Sequence, residues 1–176
     1  MKTLLDKKQL NITLQRLAHQ LVENHLNFRD TAIIGIQPRG IWLSERIAGL
    51  VKDITGQKQI NYGKLDITFY RDDVHQHDIH LPAATDIDFS IEGRNVILID
   101  DVLHTGRTIR AAMDALLAYG RPKNVELLVL IDRRFSRELP IQPDYVGQTV
   151  DTIITQKIKV YWAEKDEKDE VVLIDQ

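Results

Sequence analysis

The chain has 176 residues and a formal net charge of −3, with 43% hydrophobic and 28% charged residues. These values are ordinary for a soluble globular protein, and the length predicts one domain over residues 1–176. No run approaches the ~20 apolar residues that span a bilayer, and the first residues lack the apolar core of a secretory signal. The absence of cysteine excludes disulfide bonds and thiolate metal sites. We therefore expect a cytoplasmic protein with no membrane partner and no overall positive charge to attract nucleic acid.

The first half of the chain alternates between helical and extended patterns. Apolar residues recur at helical spacing in residues 7–26, which are predicted to form a helix. Residues 31–36 form a short β-rich run before a Pro-Arg-Gly turn, and helical periodicity resumes over residues 43–51. A further strand is predicted at residues 67–70. Residues 71–90 are polar without a core pattern, and so long a loop in a compact domain is usually a functional lid.

The second half continues the alternation. The predicted elements are a strand at 96–99, a helix at 109–117, a strand at 125–131 and a terminal hairpin built from 157–162 and 171–174. Residues 134–149 contain two prolines and a glycine, so they predict a loop or small subdomain. Strands that alternate with helices predict an α/β fold with a doubly wound, mostly parallel sheet flanked by helices. The hairpin and residues 134–160 are expected to form a small hood.

Residues 96–108 carry the most informative pattern, Val-Ile-Leu-Ile-Asp-Asp-Val-Leu-His-Thr-Gly-Arg-Thr. Four apolar residues predict a buried strand, Asp100 and Asp101 follow it, and the Thr105–Thr108 turn (the 105–108 turn) leads into the next helix. Ligands of open α/β folds bind at the carboxyl ends of strands, and a helix N-terminus binds anions. The carboxylates are therefore predicted to face a polyol and the turn a phosphate, which together describe a ribose 5-phosphate. The alternative, that the acids only cap the helix, does not explain the ordered combination.

This segment resembles the phosphoribosyl pyrophosphate (PRPP) motif of type I phosphoribosyltransferases. More narrowly, the chain resembles the PyrR family, the pyrimidine operon regulators with uracil phosphoribosyltransferase activity. The resemblance covers nearly the whole chain. Besides the PRPP motif, the resemblance is carried by three stretches: Gly35-Ile-Gln-Pro-Arg-Gly-Ile-Trp-Leu, Leu65-Asp-Ile-Thr-Phe-Tyr-Arg-Asp-Asp and Arg137-Glu-Leu-Pro-Ile-Gln-Pro-Asp-Tyr-Val-Gly. The stretch that begins at Leu65 is the most family-specific of the three.

The resemblance implies that uracil and PRPP react to give UMP and pyrophosphate, with Mg2+ as cofactor. The residues it implies for binding PRPP or nucleotide are Pro38, Arg39, Gly40, Asp100, Asp101, Val102, Leu103, His104, Thr105, Gly106, Arg107, Thr108 and Arg133. The first three would form a pyrophosphate loop, for which a plain strand–helix connector is the alternative. The two aspartates would accept from the ribose hydroxyls and hold Mg2+ indirectly, through ribose and pyrophosphate. The side chain of Arg107 is either a ligand or merely exposed at a helix start.

Four residues are predicted to be catalytic: Asp100, Asp101, Arg71 and His104. The resemblance makes residues 71–90 a flexible lid that closes over the pyrophosphate. Arg71 would then neutralise leaving-group charge, and its alternative is a solvated loop charge. His104 occupies the position used for acid–base work in some related transferases, although the pyrimidine relatives need no such residue there.

The resemblance also implies partners beyond PRPP, uracil, UMP and pyrophosphate. Members of this family can act as UMP-sensing binders of pyrimidine-operon leader RNA, and a homodimer or higher homo-oligomer is expected. Candidates for a basic RNA-binding face are Arg110, Arg121, Lys123, Arg133, Arg134 and Arg137. The net negative charge and the neutral Gln142 argue against such a face, so an enzyme without an RNA role stays open. A purine phosphoribosyltransferase would share the PRPP motif but not the stretch at Leu65.

Overall fold

The computed structural model describes residues 1–72, 82–153 and 155–175. The strands are β1 Lys2–Leu5, β2 Thr31–Ile36, β3 Asn61–Leu65, β4 Asn95–Leu103, β5 Asn124–Arg134, β6 Tyr145–Asp151, β7 Gln156–Tyr161 and β8 Glu170–Asp175. The helices are α1 Lys7–His25, α2 Gly40–Thr55, α3 Arg107–Leu116 and the short α4 Ala163–Asp166. No helix in these described ranges is both long and apolar enough to cross a membrane.

Five strands form the main sheet in the order β3-β2-β4-β5-β6, and every neighbouring pair is parallel. Apolar residues on one face pack with α1 and α2, while those on the other face pack with α3. Along β4 the two faces alternate, so that Ile97 and Ile99 belong to the first layer and Val96 and Leu98 to the second. The predicted doubly wound α/β fold is confirmed.

The predicted helices at 7–26 and 43–51 correspond to α1 and α2. The start of α1 is fixed by a capping box, in which Asp6 accepts from the Gln9 N–H at 2.8 Å while the Gln9 side chain accepts from the Asp6 N–H. Its buried stripe includes Leu10, Leu14 and Leu21. The predicted terminal hairpin is also present, because β7 and β8 pair antiparallel.

The predicted strand at residues 67–70 is wrong. Thr68–Tyr70 form a 3-10 turn, and Phe69 is 83% exposed, whereas the strand of this region is β3. The Asp66 side chain accepts from the Thr68 hydroxyl at 2.7 Å and from its N–H at 3.4 Å, which favours a turn over an extended chain.

The lid prediction for residues 71–90 needs correction at its C-terminal end, and residues 73–81 lie outside the described residues. These residues were expected to contribute nothing to the core, and near the C-terminal end of the segment that expectation is wrong. Asp86 forms a β-bridge with Lys64, and Ile87 and Phe89 pack against the core layer on the α3 side. This end of the segment therefore runs beside β3.

The hood predicted at residues 134–160 needs correction. Residues 134–149, which were expected to form a loop or small subdomain, run into β6, the edge strand of the main sheet. The last residues of the predicted hood enter β7 in a second, three-stranded sheet of order β1-β8-β7. That sheet also includes β1, a strand that was not predicted. The side chain of Arg46 on α2 anchors the sheet through Glu164 at 2.7 Å and Asp169 at 2.6 Å.

Candidate active site

A cavity of about 350 Å³ opens where β4 ends and α3 begins. Much of the predicted site meets in its wall, which is formed by Arg71, Asp100, Val102, Leu103, His104, Thr105, Gly106, Arg107, Thr108, Ile109 and Glu138. Since β4 lies at the centre of the main sheet, the cavity occupies the carboxyl edge where ligands of such folds bind.

The 105–108 turn has the geometry of an anion site. Gly106 adopts a left-handed conformation with φ 95°, which glycine tolerates and which brings the chain sharply into α3. The Thr105 hydroxyl accepts from the Arg107 N–H at 3.3 Å. The N-cap residue is Gly106, which has no side chain to accept from the start of α3. Apart from the N–H of Arg107, the N–H groups of the first turn can therefore serve a bound anion.

Asp100 and Asp101 are buried, at 7% and 5% exposure, and their side chains take different directions. The strand continues to Leu103, so the acids lie within β4 rather than after it. Successive side chains of a strand face opposite sides. Asp100 lines the cavity, whereas Asp101 accepts from Nε of Arg39 at 3.0 Å. The prediction that both carboxylates face one polyol is therefore not matched by this arrangement.

Burial raises the pKa of Asp100 well above its usual range, and the neighbouring charge of Asp101 raises it further. Burial also raises the pKa of Asp101, against the opposing charge of Arg39. Asp100 Oδ1 accepts from the Asp101 N–H at 2.9 Å. Negative charge on these two buried carboxyl groups is unfavourable. Hydroxyl donors or a cation from a bound ligand would stabilise the charged form.

The Pro38–Gly40 turn connects β2 to α2 and lies against β4. A Cβ on Gly40 would stand 2.5 Å from the Ile99 carbonyl oxygen, so only glycine fits this approach. Arg39 donates to Asp101 and to the carbonyl of Val160 on β7. The guanidinium of Arg39, which was predicted to bind pyrophosphate, is thus hydrogen-bonded to other residues of the chain.

Arg71 stands at the cavity wall, with Nη1 3.5 Å from the Thr108 hydroxyl. Its positive charge opposes the raised pKa of Asp100, so the two groups influence each other across the cavity. The next residue, Asp72, pairs with Arg107 at 2.8 Å and with Arg110 at 3.4 Å. These ion pairs place the beginning of the lid segment against α3.

His104 and Arg133 lie differently with respect to the cavity. His104 lines it, and burial lowers the pKa of its ring, with further lowering from the charges of Arg133 and Arg137. Arg133 is buried and does not line the cavity. Its Nε donates to the Thr152 hydroxyl at 3.1 Å and Nη2 to the Gln156 carbonyl at 2.9 Å. Arg133 therefore holds the connection between β6 and β7.

Three residues next to the site were not predicted to take part in it: Asp72, Arg137 and Glu138. Glu138 lines the cavity and accepts from Nε of Arg107 at 2.6 Å. Arg137 donates to the His104 carbonyl and to Asp132. The family-like stretch that begins at Arg137 was a signal, but its pattern does not say that it folds against the 105–108 turn.

A central parallel strand with buried acids, followed by a glycine turn into a helix, is the arrangement expected of a phosphoribosyltransferase. The family model described as phosphoribosyl transferase domain matches residues 1–165. The chain is 45% identical over 171 residues to the Bifunctional protein PyrR of Picosynechococcus sp., a match that covers 97% of this chain and 96% of the relative. Identity to the protein of the same name from Elusimicrobium minutum is 45% over 174 residues, covering 98% and 96%. The chain belongs to the PyrR family of phosphoribosyltransferases.

Solved structures agree with this fold. The hypoxanthine phosphoribosyltransferase of Trypanosoma cruzi matches with a TM-score of 0.74 at 14% identity, covering 99% of this chain and 97% of that one. A hypoxanthine phosphoribosyltransferase from Staphylococcus aureus matches with a TM-score of 0.72 at 17% identity, covering 97% and 90%. At such low identity the likeness supports the fold alone.

Proposed function

We propose that the chain is a uracil phosphoribosyltransferase, which transfers the ribose 5-phosphate group of PRPP to uracil and releases pyrophosphate. The observation that carries the proposal is that Asp100 and the 105–108 turn line one cavity of about 350 Å³. It supports the proposal because a carboxylate that could accept from ribose hydroxyls and a turn that could bind a phosphate share the same space. Full-length similarity to proteins named PyrR supports a pyrimidine as the base.

The chain's own residues would act mainly by position and charge. N–H groups of the 105–108 turn would hold the 5-phosphate, and Asp100 would accept from the ribose. Arg71, at the wall beside Thr108, would face negative charge that develops on the departing pyrophosphate. Because Arg39 already donates to Asp101 and Val160, its side chain must exchange these partners before it can bind pyrophosphate.

The proton of uracil requires an acceptor. The lowered pKa of His104 favours its neutral form at neutral pH, in which one ring nitrogen can accept a proton. We assign His104 this role because its ring lines the cavity. Arg133 would act on the base indirectly, by holding the connection between β6 and β7 rather than by touching the nucleotide.

The donor set also fits Mg2+. Within the described residues, no group of three or more His, Cys, Asp or Glu side chains could hold a metal. Mg2+ usually keeps several waters and substrate oxygens as ligands, and the buried negative charge of Asp100 and Asp101 suits an ion that is held in this way. When bound, Mg2+ would supply positive charge to the pyrophosphate oxygens. The two aspartates would hold it indirectly, through ribose and pyrophosphate.

Equilibrium titration with UMP, uridine and IMP tests the phosphate site and the base together. We expect UMP to bind about a hundredfold more tightly than uridine, because several charge-assisted hydrogen bonds to the phosphate are lost. IMP should bind more weakly than UMP. Equal affinity for UMP and uridine would contradict phosphate binding by the 105–108 turn. Preference for IMP would favour a purine phosphoribosyltransferase.

We further propose that the chain binds pyrimidine-operon leader RNA as a UMP sensor, and that a homo-oligomer is needed for this. Three of the candidate basic residues are already paired within the chain: Arg110 with Asp114, Arg134 with Asp151 and Arg137 with Asp132. Arg133 is buried. Arg121 and Lys123 precede β5, at the opposite end of the sheet from Arg133. One chain therefore offers scattered cations, and two-fold symmetry would be needed to gather them.

Specific RNA binding is accordingly expected to need the oligomer, to strengthen with UMP and to weaken only gradually with salt unless the arginines converge on one face of the oligomer. Few neutralised phosphates give a shallow log–log dependence of affinity on salt concentration. Gel-shift titration of a pyrimidine-operon leader RNA with and without UMP and at several salt concentrations, joined to sedimentation of the complex, measures all three. Tight UMP-dependent binding by a monomer would refute the need for an oligomer. An absence of binding at low salt would leave only the enzyme.

A further inference from the structure

The segment that follows β5 donates hydrogen bonds to backbone carbonyls at the start of the 105–108 turn. Arg137 donates through Nη1 to the carbonyl of His104, at the entrance to the turn. The next two backbone N–H groups, of Glu138 and Leu139, both donate to the carbonyl of Thr105, at 3.0 and 3.2 Å. Two consecutive carbonyls, one just before the turn and one at its first residue, are thus held by donors from one segment.

Arg137 is itself held in place by Asp132 at the end of β5. Nη2 of Arg137 lies 2.5 Å from Oδ1 of Asp132, and the two side chains are 22% and 13% exposed. Water and salt screen such a partly buried ion pair much less than a surface pair. Removal of one partner leaves the charge of the other without compensation. The planar guanidinium serves two acceptors along different edges at once, which a lysine ammonium cannot reproduce with the same geometry.

The held carbonyls fix the directions of the donors that a phosphate would use. A trans peptide plane directs its C=O and N–H in opposite directions. Anchoring the carbonyl of His104 therefore sets the direction of the Thr105 N–H, and anchoring that of Thr105 sets the direction of the Gly106 N–H. Both residues line the cavity. Without these anchors the turn could present either face of each peptide to the ligand.

We infer that Asp132 and Arg137 are positioning residues for the 5-phosphate, which they act on through the carbonyls of the turn rather than by contact. This inference rests on the proposed phosphate role of the 105–108 turn. It also gives Arg137 a function other than contact with RNA, because its guanidinium already has two acceptors inside the chain.

The test compares the affinity for UMP with the affinity for uridine in Arg137→Ala, Arg137→Lys and Asp132→Asn. Arg134→Ala is the matched control, since its pair with Asp151 is exposed at 55% and 56% and lies outside the cavity wall. We expect Arg137→Ala to weaken UMP binding by about tenfold to a hundredfold and to leave uridine binding unchanged. Arg137→Lys and Asp132→Asn should lose less, and Arg134→Ala nothing.

A purely structural role for Arg137 would weaken UMP and uridine equally, so the ratio of the two affinities separates the cases. An unchanged ratio in folded variants overturns the inference. Should Arg137→Ala fail to fold, the ratio in Arg137→Lys and Asp132→Asn decides in the same way. Failure of the proposed function looks different, because the parent chain itself would then show no preference for UMP over uridine.

Discussion

Replacing Asp100 and Asp101 together with asparagine is expected to lower uracil turnover by at least about a hundredfold while the chain stays folded. The amide at position 100 removes the acceptor charge that would face the ribose hydroxyls, and the two amides together remove the negative field that would help hold Mg2+. The geometry of the strand need not change, because the amide oxygen of the new side chain could still accept from the N–H that Asp100 Oδ1 now binds at 2.9 Å.

The same change at Asp100 alone should raise the stability of the fold at neutral pH. Burial and the charge of Asp101 raise the pKa of Asp100 above its value in the unfolded chain. The parent therefore loses stability as the pH rises from the unfolded pKa of this group to its folded pKa. Asparagine does not titrate. The melting temperature of Asp100→Asn should therefore exceed that of the parent at pH 7 to 8, and the difference should shrink toward about pH 4. Asp101→Asn should gain less, because Arg39 already balances Asp101.

Thermal melts and steady-state rates of these variants across pH provide the measurements. Asp114→Asn is a suitable control, because that carboxylate is half exposed on α3 and pairs with Arg110 at the surface. Near-normal uracil conversion by a folded double variant would contradict the role given to the two acids. A lower melting temperature for Asp100→Asn at pH 8 would contradict the account of their buried charge.

Arg71→Ala is expected to reduce kcat by about a hundredfold, equivalent to about 3 kcal/mol, with a much smaller loss of UMP affinity. UMP lacks the pyrophosphate whose developing charge Arg71 is proposed to neutralise, so the product should not report its main contribution. The position of the Arg71 guanidinium near Thr108 and Asp100 supports a large effect on kcat and a small effect on UMP affinity.

Single-turnover rates and UMP titrations of Arg71→Ala and Arg71→Lys test that expectation. Arg121→Ala, which precedes β5 at the far end of the sheet, controls for a general loss of positive charge. Equal losses in rate and in UMP affinity would make Arg71 an ordinary binding residue.

The order of elements around the site could be predicted from the sequence, because buried parallel strands are apolar on both faces. β4 and β5 show this as Val96–Ile99 and Val125–Ile131, and the residues after β4 combine acids, hydroxyls and glycine. These signals are local in the chain. They place Asp100 and the 105–108 turn together without knowledge of any distant contact.

Other elements depend on contacts that are distant in sequence. β6 is an edge strand with polar Gln148 and Thr149, so it lacks the apolar run of a central strand. Residues 67–70 have high β propensity, yet the side chain of Asp66 turns them, because local hydrogen bonding outweighs propensity there. β1 is only four residues long and is defined by its pairing with β8.

Side-chain partners were the least predictable part of the site. The sequence marks Arg39 and Arg133 as cations near the ligand edge. Their partners come from β4 (Asp101), from the β6–β7 connection (Thr152) and from β7 (Gln156 and Val160). One signal was available. Had β4 been extended past Ile99, strand alternation alone would have placed Asp100 and Asp101 on opposite faces.

Product analysis with PRPP, Mg2+ and radiolabelled uracil, hypoxanthine or adenine in parallel tests the central claim most directly. Uracil should be converted to UMP with release of pyrophosphate, and neither purine should yield a nucleotide at a comparable rate. Conversion of hypoxanthine or adenine in preference to uracil would contradict the proposed base specificity, and an absence of any nucleotide product would contradict the enzymatic account as a whole.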